Sequence, residues 1–191
     1  MTVESTQALG PFRRYGVWVQ GCQKHCPGCI SEDSQPIDGG YEVPVPDLAH
    51  DILNTVGIEG ITISGGEPFL QSDALVELIA QIRAEKDLGI IIYTGMRFDE
   101  IEDNSLTQIC DMIIDGEYHE DLNDDLSLRG SSNQKIHLIS QRYTDEIGLY
   151  GKKGRKIELR FLGDKTTMVG IPDKESLGLL EASNGGLMPG M

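Results

Sequence analysis

The chain predicts an α/β fold with a mostly parallel sheet, and three observations predict it. Short apolar runs alternate with stretches of helical periodicity from residue 15 to residue 116. The strand-like runs are continuously apolar, which marks strands buried on both faces, as in parallel sheets covered by helices. Each run also closes on a turn residue, so the sequence is punctuated where a strand would hand over to a helix.

The elements follow in order. Tyr15-Gly16-Val17-Trp18-Val19 is β-branched and aromatic and reads as a first strand. Residues 31–43, rich in Ser, Asp, Gln, Pro and Gly, read as an exposed loop. A helix is expected over 45–56, with Leu48, Ile52, Leu53 and Val56 at helical spacing after a proline. Gly60-Ile61-Thr62-Ile63-Ser64 is a buried strand ending at Gly65-Gly66. A second helix is expected over 70–86, its apolar face formed by Leu75, Leu78, Ile79 and Ile82. Gly89-Ile90-Ile91-Ile92-Tyr93 is a third strand, and 98–110 is helical with a break near Asp103-Asn104. Asp111-Met112-Ile113-Ile114-Asp115 is a fourth strand.

After residue 116 the rhythm changes. Residues 119–134 are polar, Ile136-His137-Leu138-Ile139 is strand-like, and 156–161 with 166–169 form a hairpin around Gly163-Asp164. A short helix is expected over about 173–182, followed by a frayed Gly/Pro-rich tail over 183–191. This divides the chain into a core over 1–140, an extension packed on it over 141–182, and the tail.

Composition narrows the function classes. The 191 residues can bury one good core, and 39% apolar content indicates a globular chain. No apolar run approaches the roughly 18 residues needed to span a bilayer, and the N-terminus lacks the pattern of a secretory signal. A cytoplasmic protein is expected. The net charge of −15, from 31 acidic and 16 basic residues, disfavours nucleic acid and anionic membranes as partners. The basic pairs and clusters, Arg13-Arg14 and Lys152, Lys153, Arg155 and Lys156, read as solvated surface.

Chemistry concentrates in one loop after the first strand, where Cys22, Cys26 and Cys29 are spaced by four and then three residues. In a cytosolic chain such clustering reads as metal binding. Three thiolates leave two options open. Zinc would need a fourth ligand from His25, His50, His119, His137 or Cys110, whereas an iron–sulfur cluster can keep one position free. A second motif, Ser64-Gly65-Gly66-Glu67-Pro68-Phe69, follows a strand and opens a helix. Its glycines allow close approach to the backbone, whose amides and carbonyls can hold a charged amino-acid group. In parallel sheets the C-terminal strand ends form the site, which puts both motifs at one mouth. Cys110 and Trp18 read as core, and His25 as a bystander of the cysteine loop.

Together the two motifs resemble the radical S-adenosylmethionine (SAM) superfamily. The resemblance implies a partial (β/α) barrel with a small C-terminal β-hairpin and helix extension. It also implies that Cys22, Cys26 and Cys29 hold a [4Fe-4S] cluster whose fourth iron is ligated by SAM. Gly65, Gly66, Glu67 and Pro68 would then lie against the methionyl amino end. Cys-Pro-Gly-Cys over 26–29, Val19-Gln20-Gly21-Cys22, Tyr93-Thr94-Gly95, 111–116 and the Arg-Gly-Ser-Ser-Asn-Gln block at 129–134 resemble activating enzymes of anaerobic ribonucleotide reductase. By that resemblance Thr94, Asp115, Ser132 and Asn133 approach the SAM ribose and adenine, although Asp115, Ser132 and Asn133 equally suit turn or cap roles.

The implied activity is reductive cleavage of SAM to a 5′-deoxyadenosyl radical that abstracts a hydrogen. The implied partners are a glycyl-radical protein like anaerobic ribonucleotide reductase and a one-electron donor such as flavodoxin or ferredoxin. Two alternatives stand beside it: a radical SAM enzyme acting on another protein, peptide or small molecule, and a non-catalytic zinc-binding interaction module. The chain departs from the family in Gly28, where many members carry an aromatic residue. It also departs in Phe12-Arg13-Arg14 and in continuing some 50 residues past the Ser-Ser-Asn-Gln block.

Overall fold

The computed structural model describes residues 1–150, 152, 154–162, 165–173 and 175–176. Six strands form one sheet in the order β1 (Thr2–Thr6), β2 (Arg14–Val19), β3 (Gly60–Gly65), β4 (Gly89–Tyr93), β5 (Met112–Asp115) and β6 (Lys135–Leu138). β2 to β5 run parallel, and the two edge strands, β1 and β6, run antiparallel to their neighbours. The expected first strand is therefore the second. Its predecessor, β1, buries Val3 and Thr6 while leaving Thr2 and Glu4 exposed, an alternation suited to an edge strand.

The helices cover one face. Tyr15, Val17, Val19, Ile61, Ile63, Ile90, Ile92 and Ile113 project from alternate strand positions into one core with α1 (Val45–Asn54) and α2 (Ser72–Arg83). The stripe of Leu75, Leu78, Ile79 and Ile82 is buried as its spacing predicts. Helix boundaries move, and α2 stops at Arg83, short of the expected 86. Residues Pro68–Gln71 form a 3-10 turn before α2, and α1 ends at Asn54, leaving Val56 87% exposed. The break near Asp103-Asn104 is real: α3 (Phe98–Ile101) stops, and the Asn104 side chain accepts the Leu106 amide to start α4 (Ser105–Ile109).

The other face is covered by the chain after β6. Tyr143 and Tyr150 pack on Ile91, Met112 and Ile114, and β7 (Glu158–Leu162) pairs antiparallel with β8 (Lys165–Val169), which supplies Val169 to a small cluster with Val3 and Leu9. The expected hairpin is present. The expected helix over 173–182 falls largely on residues outside those described, and the tail over 183–191 lies wholly outside them.

A buried arginine joins this face to the sheet, which corrects the solvated reading of the basic residues. Arg14 has no exposed surface, and its five donors reach five acceptors. These are Thr62 Oγ1 at 2.7 Å, the Pro11 carbonyl at 3.3 Å, Tyr143 Oη at 2.7 Å, and the carbonyls of Ile61 at 2.6 Å and Gly89 at 2.8 Å. A guanidinium can be buried without a carboxylate only when every donor is satisfied in this way. Arg155 is likewise withdrawn from solvent, its side chain 2% exposed and bonded to the carbonyls of Leu126, Arg129, Gly130 and Pro172. Lys152 and Lys156 are exposed as expected, and Lys153 lies outside the described residues.

Candidate cluster and cofactor site

The strand ends of β2, β3, β4 and β5 meet at one edge, and backbone bonds tie the cysteine loop to the Gly-Gly-Glu turn. The Gly66 amide donates to the Val19 carbonyl at 2.8 Å and the Glu67 amide to the Gly21 carbonyl at 2.7 Å. Both glycines are required by space. A Cβ on Gly66 would meet the Gly21 carbonyl oxygen at 2.3 Å, and one on Gly65, at φ +101°, would meet the Val19 oxygen at 2.5 Å. The base of the cysteine loop is strapped to the following segment, with the Gly21 amide on the Ser34 carbonyl at 2.8 Å and the Cys22 amide on that of Gln35 at 2.9 Å.

Glu67 is 3% exposed and works as a clamp between strand ends. Its Oε1 accepts from Thr94 Oγ1 at 2.8 Å and from the Phe69 amide at 3.1 Å, and its Oε2 accepts from the Gly95 amide at 2.9 Å. Burial pushes its carboxyl above the ordinary value, and the donated bonds and the Lys24 charge pull back against that shift. Pro68 is buried at the start of the 3-10 turn that Glu67 caps. The Thr94 hydroxyl is thus committed: it donates to Glu67 and accepts the Met96 amide at 3.0 Å.

The cysteine thiols contrast with this clamp. Cys22, Cys26 and Cys29 are free and half-buried; the Lys24 amide donates to Cys22 Sγ at 3.4 Å, and the Tyr118 backbone amide bonds to Cys26. Burial raises the Cys26 thiol above its ordinary value, the Tyr118 amide pulls back against that shift, and the neighbouring cysteines and Glu117 add to it. Lys24 crosses the mouth to Glu117 Oε1 at 3.3 Å, joining the loop to the segment after β5. Sequence reasoning missed this bridge; Lys24 was visible inside the loop, but nothing local pointed to its partner 93 positions later.

Among the described residues no three His, Cys, Asp or Glu side chains are gathered as tightly as a single enclosed ion requires. Among the described residues none of the proposed fourth zinc ligands forms a metal-binding group with the three cysteines. His50 pairs with Asn54 on α1, His137 stacks on Phe98 at 4.2 Å between ring centroids, and His25 and His119 are exposed. Cys110 is buried, donates to the Thr107 carbonyl at 3.2 Å, and has its thiol pushed up to about 12 by desolvation. Three soft sulfurs on one open loop, with a glycine cradle beside them, fit an iron–sulfur cluster with a vacant iron better than a closed zinc site.

The remaining expected residues surround the same edge but are heavily used by the fold. Asp115 accepts the Phe98 amide at 2.7 Å and the Lys135 amide at 3.2 Å, and His137 Nε2 lies 3.2 Å away, poorly aligned for a neutral hydrogen bond. Asn133 Nδ2 donates to the Glu117 carbonyl at 2.8 Å, and the Ser132 amide to the Leu122 carbonyl at 2.8 Å, while both side chains are exposed. Gln134 organises the Arg-Gly-Ser-Ser-Asn-Gln block: its Oε1 accepts the Gly130 amide at 2.8 Å and its Nε2 donates to the Gly116 carbonyl at 2.8 Å. The side chains of Ser132 and Asn133 thus stand beside the mouth, whereas those of Thr94 and Asp115 point into the structure that holds it.

Comparison with known proteins agrees with this geometry. A family profile described as a 4Fe-4S single cluster domain matches residues 8–137. The chain is 35% identical over 143 residues to the anaerobic ribonucleoside-triphosphate reductase-activating protein of Escherichia coli, covering 68% of this chain and 91% of that one. The protein of the same description from Salmonella typhi is 33% identical over 142 residues, covering 68% and 91%. The pyruvate formate-lyase-activating enzyme of Staphylococcus epidermidis is 28% identical over 161 residues, covering 75% and 62%. The zinc-module alternative loses its footing here, since the matched family and the donor set agree on a cluster. The chain belongs to the radical SAM activating enzymes that carry a single 4Fe-4S cluster.

Proposed function

We propose that this enzyme generates a glycyl radical on a large partner of the anaerobic ribonucleotide reductase type. Cys22, Cys26 and Cys29 would hold the [4Fe-4S] cluster, and Gly65, Gly66, Glu67 and Pro68 would form the platform for the methionyl end of SAM. The observation that carries the reading is the pair of backbone bonds that lock the Gly-Gly-Glu turn against the base of the cysteine loop. When bound, the cluster and SAM supply a one-electron cleavage to methionine and a 5′-deoxyadenosyl radical that takes a hydrogen from the partner's glycine.

The chain's own residues set the geometry around that chemistry. Glu67 fixes β3 and β4 at one separation through Thr94 and Gly95, so the platform cannot shift when a ligand arrives. Lys24 and Glu117 tie the cysteine loop across the mouth. Ser132 and Asn133, with exposed side chains beside β5, are the nearer candidates for the ribose and adenine, with Thr94 and Asp115 supporting from beneath. The mostly parallel sheet would form the wall of a partial barrel, with residues 1–140 as the core and 141–182 as the added extension. An incomplete barrel suits a macromolecular substrate that completes the cavity.

A one-electron donor such as flavodoxin or ferredoxin would supply the reducing electron in the cytoplasm, where clustered thiols stay reduced. The net charge of −15 argues against nucleic acid and anionic membranes as partners, and no helix among the described residues is long and apolar enough to cross a membrane. A radical SAM enzyme acting on another protein is the second reading, favoured by the residues after β6 that pack Tyr143 and Tyr150 onto the inner sheet face. The test is electron paramagnetic resonance after mixing the reduced, cluster-loaded protein with SAM and an anaerobic ribonucleotide reductase. A glycyl-radical signal is expected. SAM cleavage with another substrate and no such signal with the reductase would transfer the claim to the second reading.

A further inference from the structure

A second cavity, of about 730 Å³, opens between the lead-in to β2 and the chain after β6. Its size falls within the range of small-molecule sites, roughly 300–1,000 Å³. None of the residues proposed for the cluster or the Gly-Gly-Glu platform lines it; its nearest approach to the mouth is Tyr93 at the end of β4. Its chemistry is also unlike the rest of the protein. Arg13, Lys152, Arg155 and Lys156 stand against only Glu59 and Glu146 in its walls, within a chain whose net charge is −15. A local excess of cations on so acidic a protein marks a place for an anion.

Two further features specify the anion. Phe12, Tyr93 and Tyr150 offer aromatic surface to the cavity, and Phe12 is held at φ +62° with half its surface exposed. Within the walls, Tyr150 is 9% exposed and, among the described residues, neither its Oη nor the buried Glu146 Oε2 has a hydrogen-bond partner. Such groups are costly to bury unless something bonds them. A phenol and a carboxylate in the walls of one cavity match a ligand edge that both accepts and donates hydrogen bonds. Arg155 shapes the wall and its potential but spends its donors on backbone carbonyls, which leaves the exposed Lys152 and Lys156 to meet charge directly.

We propose that this cavity is a nucleotide site distinct from the SAM site. The ring lies against Phe12 and Tyr93 with its polar edge on Glu146 and Tyr150 Oη, and the phosphates lie toward Lys152 and Lys156. Placing the carboxylate at the ring end keeps it away from the phosphates. The proposal does not depend on the identity of the glycyl-radical partner.

Equilibrium dialysis of the cluster-loaded full chain tests it, using ATP, GTP, CTP and UTP, with saturating SAM present throughout. At least one nucleotide is expected to be retained at about one per chain, with inorganic triphosphate bound at least about tenfold more weakly, because it forgoes the stacking and ring-edge contacts. Lys152→Ala combined with Lys156→Ala should weaken retention about tenfold or more, since charge-assisted contacts to phosphate are among the stronger ones. Tyr150→Phe, which keeps the ring and removes the orphan hydroxyl, should weaken it several-fold while SAM binding is unchanged. Retention of none of the four nucleotides would overturn the proposal. So would equal binding of triphosphate, or variants that bind as the parent does.

Discussion

The cysteine loop and the Gly-Gly-Glu turn share one edge of the sheet, yet they are built in opposite ways. In the turn Glu67 and Pro68 are buried, the carboxylate accepts three hydrogen bonds, and the glycines sit where a methyl group would strike backbone. The loop is fixed at its base by Gly21 and Cys22, but beyond that its thiols are half-buried and held only by single backbone amides, from Lys24 on Cys22 and from Tyr118 on Cys26. The difference separates two tasks. A platform for SAM gains from having one rigid geometry, whereas ligands to a cluster must be free of other bonds so that iron can take them.

The largest expected effect comes from the loop. Replacing Cys22, Cys26 or Cys29 singly with Ala should abolish cluster retention and SAM cleavage, while leaving apo-protein stability within about 0.5 kcal/mol, as for other lightly bonded positions. A large loss of stability on denaturant titration would show that the thiols carry structure and would collapse the contrast. Gly65→Ala should do the reverse, costing about 2–4 kcal/mol of stability through strain at positive φ and collision with β2. If chemical denaturation finds it neutral, the turn is not the rigid partner.

Glu67→Gln is subtler. Its amide nitrogen would face an N–H or O–H donor, so a loss of about 1–3 kcal/mol is expected. The pH dependence has a definite sign. Burial raises the folded carboxyl above its unfolded value, so the stability it contributes is full below the unfolded value, near 4.3, and is lost as pH rises through the folded one. The gap between parent and variant should therefore widen toward acid, and a gap that narrows on acidification would refute the burial argument. The smallest effect is a silence. Cys110, with its thiol pushed up to about 12, should resist alkylation at pH 8 in the folded apo-protein while the three loop cysteines react, as read by peptide mass mapping.

Legibility followed the range of the interaction. The strands and helices of the covered face were readable because their periodicity is local, as Leu75, Leu78, Ile79 and Ile82 show. The cysteine loop and the Gly-Gly-Glu turn were readable because spacing and strand context carry them. Arg14 was not: a cation beside another cation reads as surface, and its burial depends on acceptors that include Thr62, Gly89 and Tyr143, all distant in sequence. β6 was legible as the strand-like run at 136–139 but its antiparallel direction was not, and β1 was not read at all, since an edge strand's place and direction are set by pairing. Asp115 shows the limit most clearly. Its place at a strand end was legible, but its commitment to the amides of Phe98 and Lys135 was not.

The central claim is that Cys22, Cys26 and Cys29 leave one iron of a cluster open and that the adjoining turn brings SAM to it. Anaerobic reconstitution followed by electron paramagnetic resonance of the reduced protein, with and without SAM, tests it most directly. About four irons per chain and a cluster signal that changes on adding SAM are predicted, with the change lost in Gly65→Ala. A fully loaded cluster whose signal is indifferent to SAM would contradict the account.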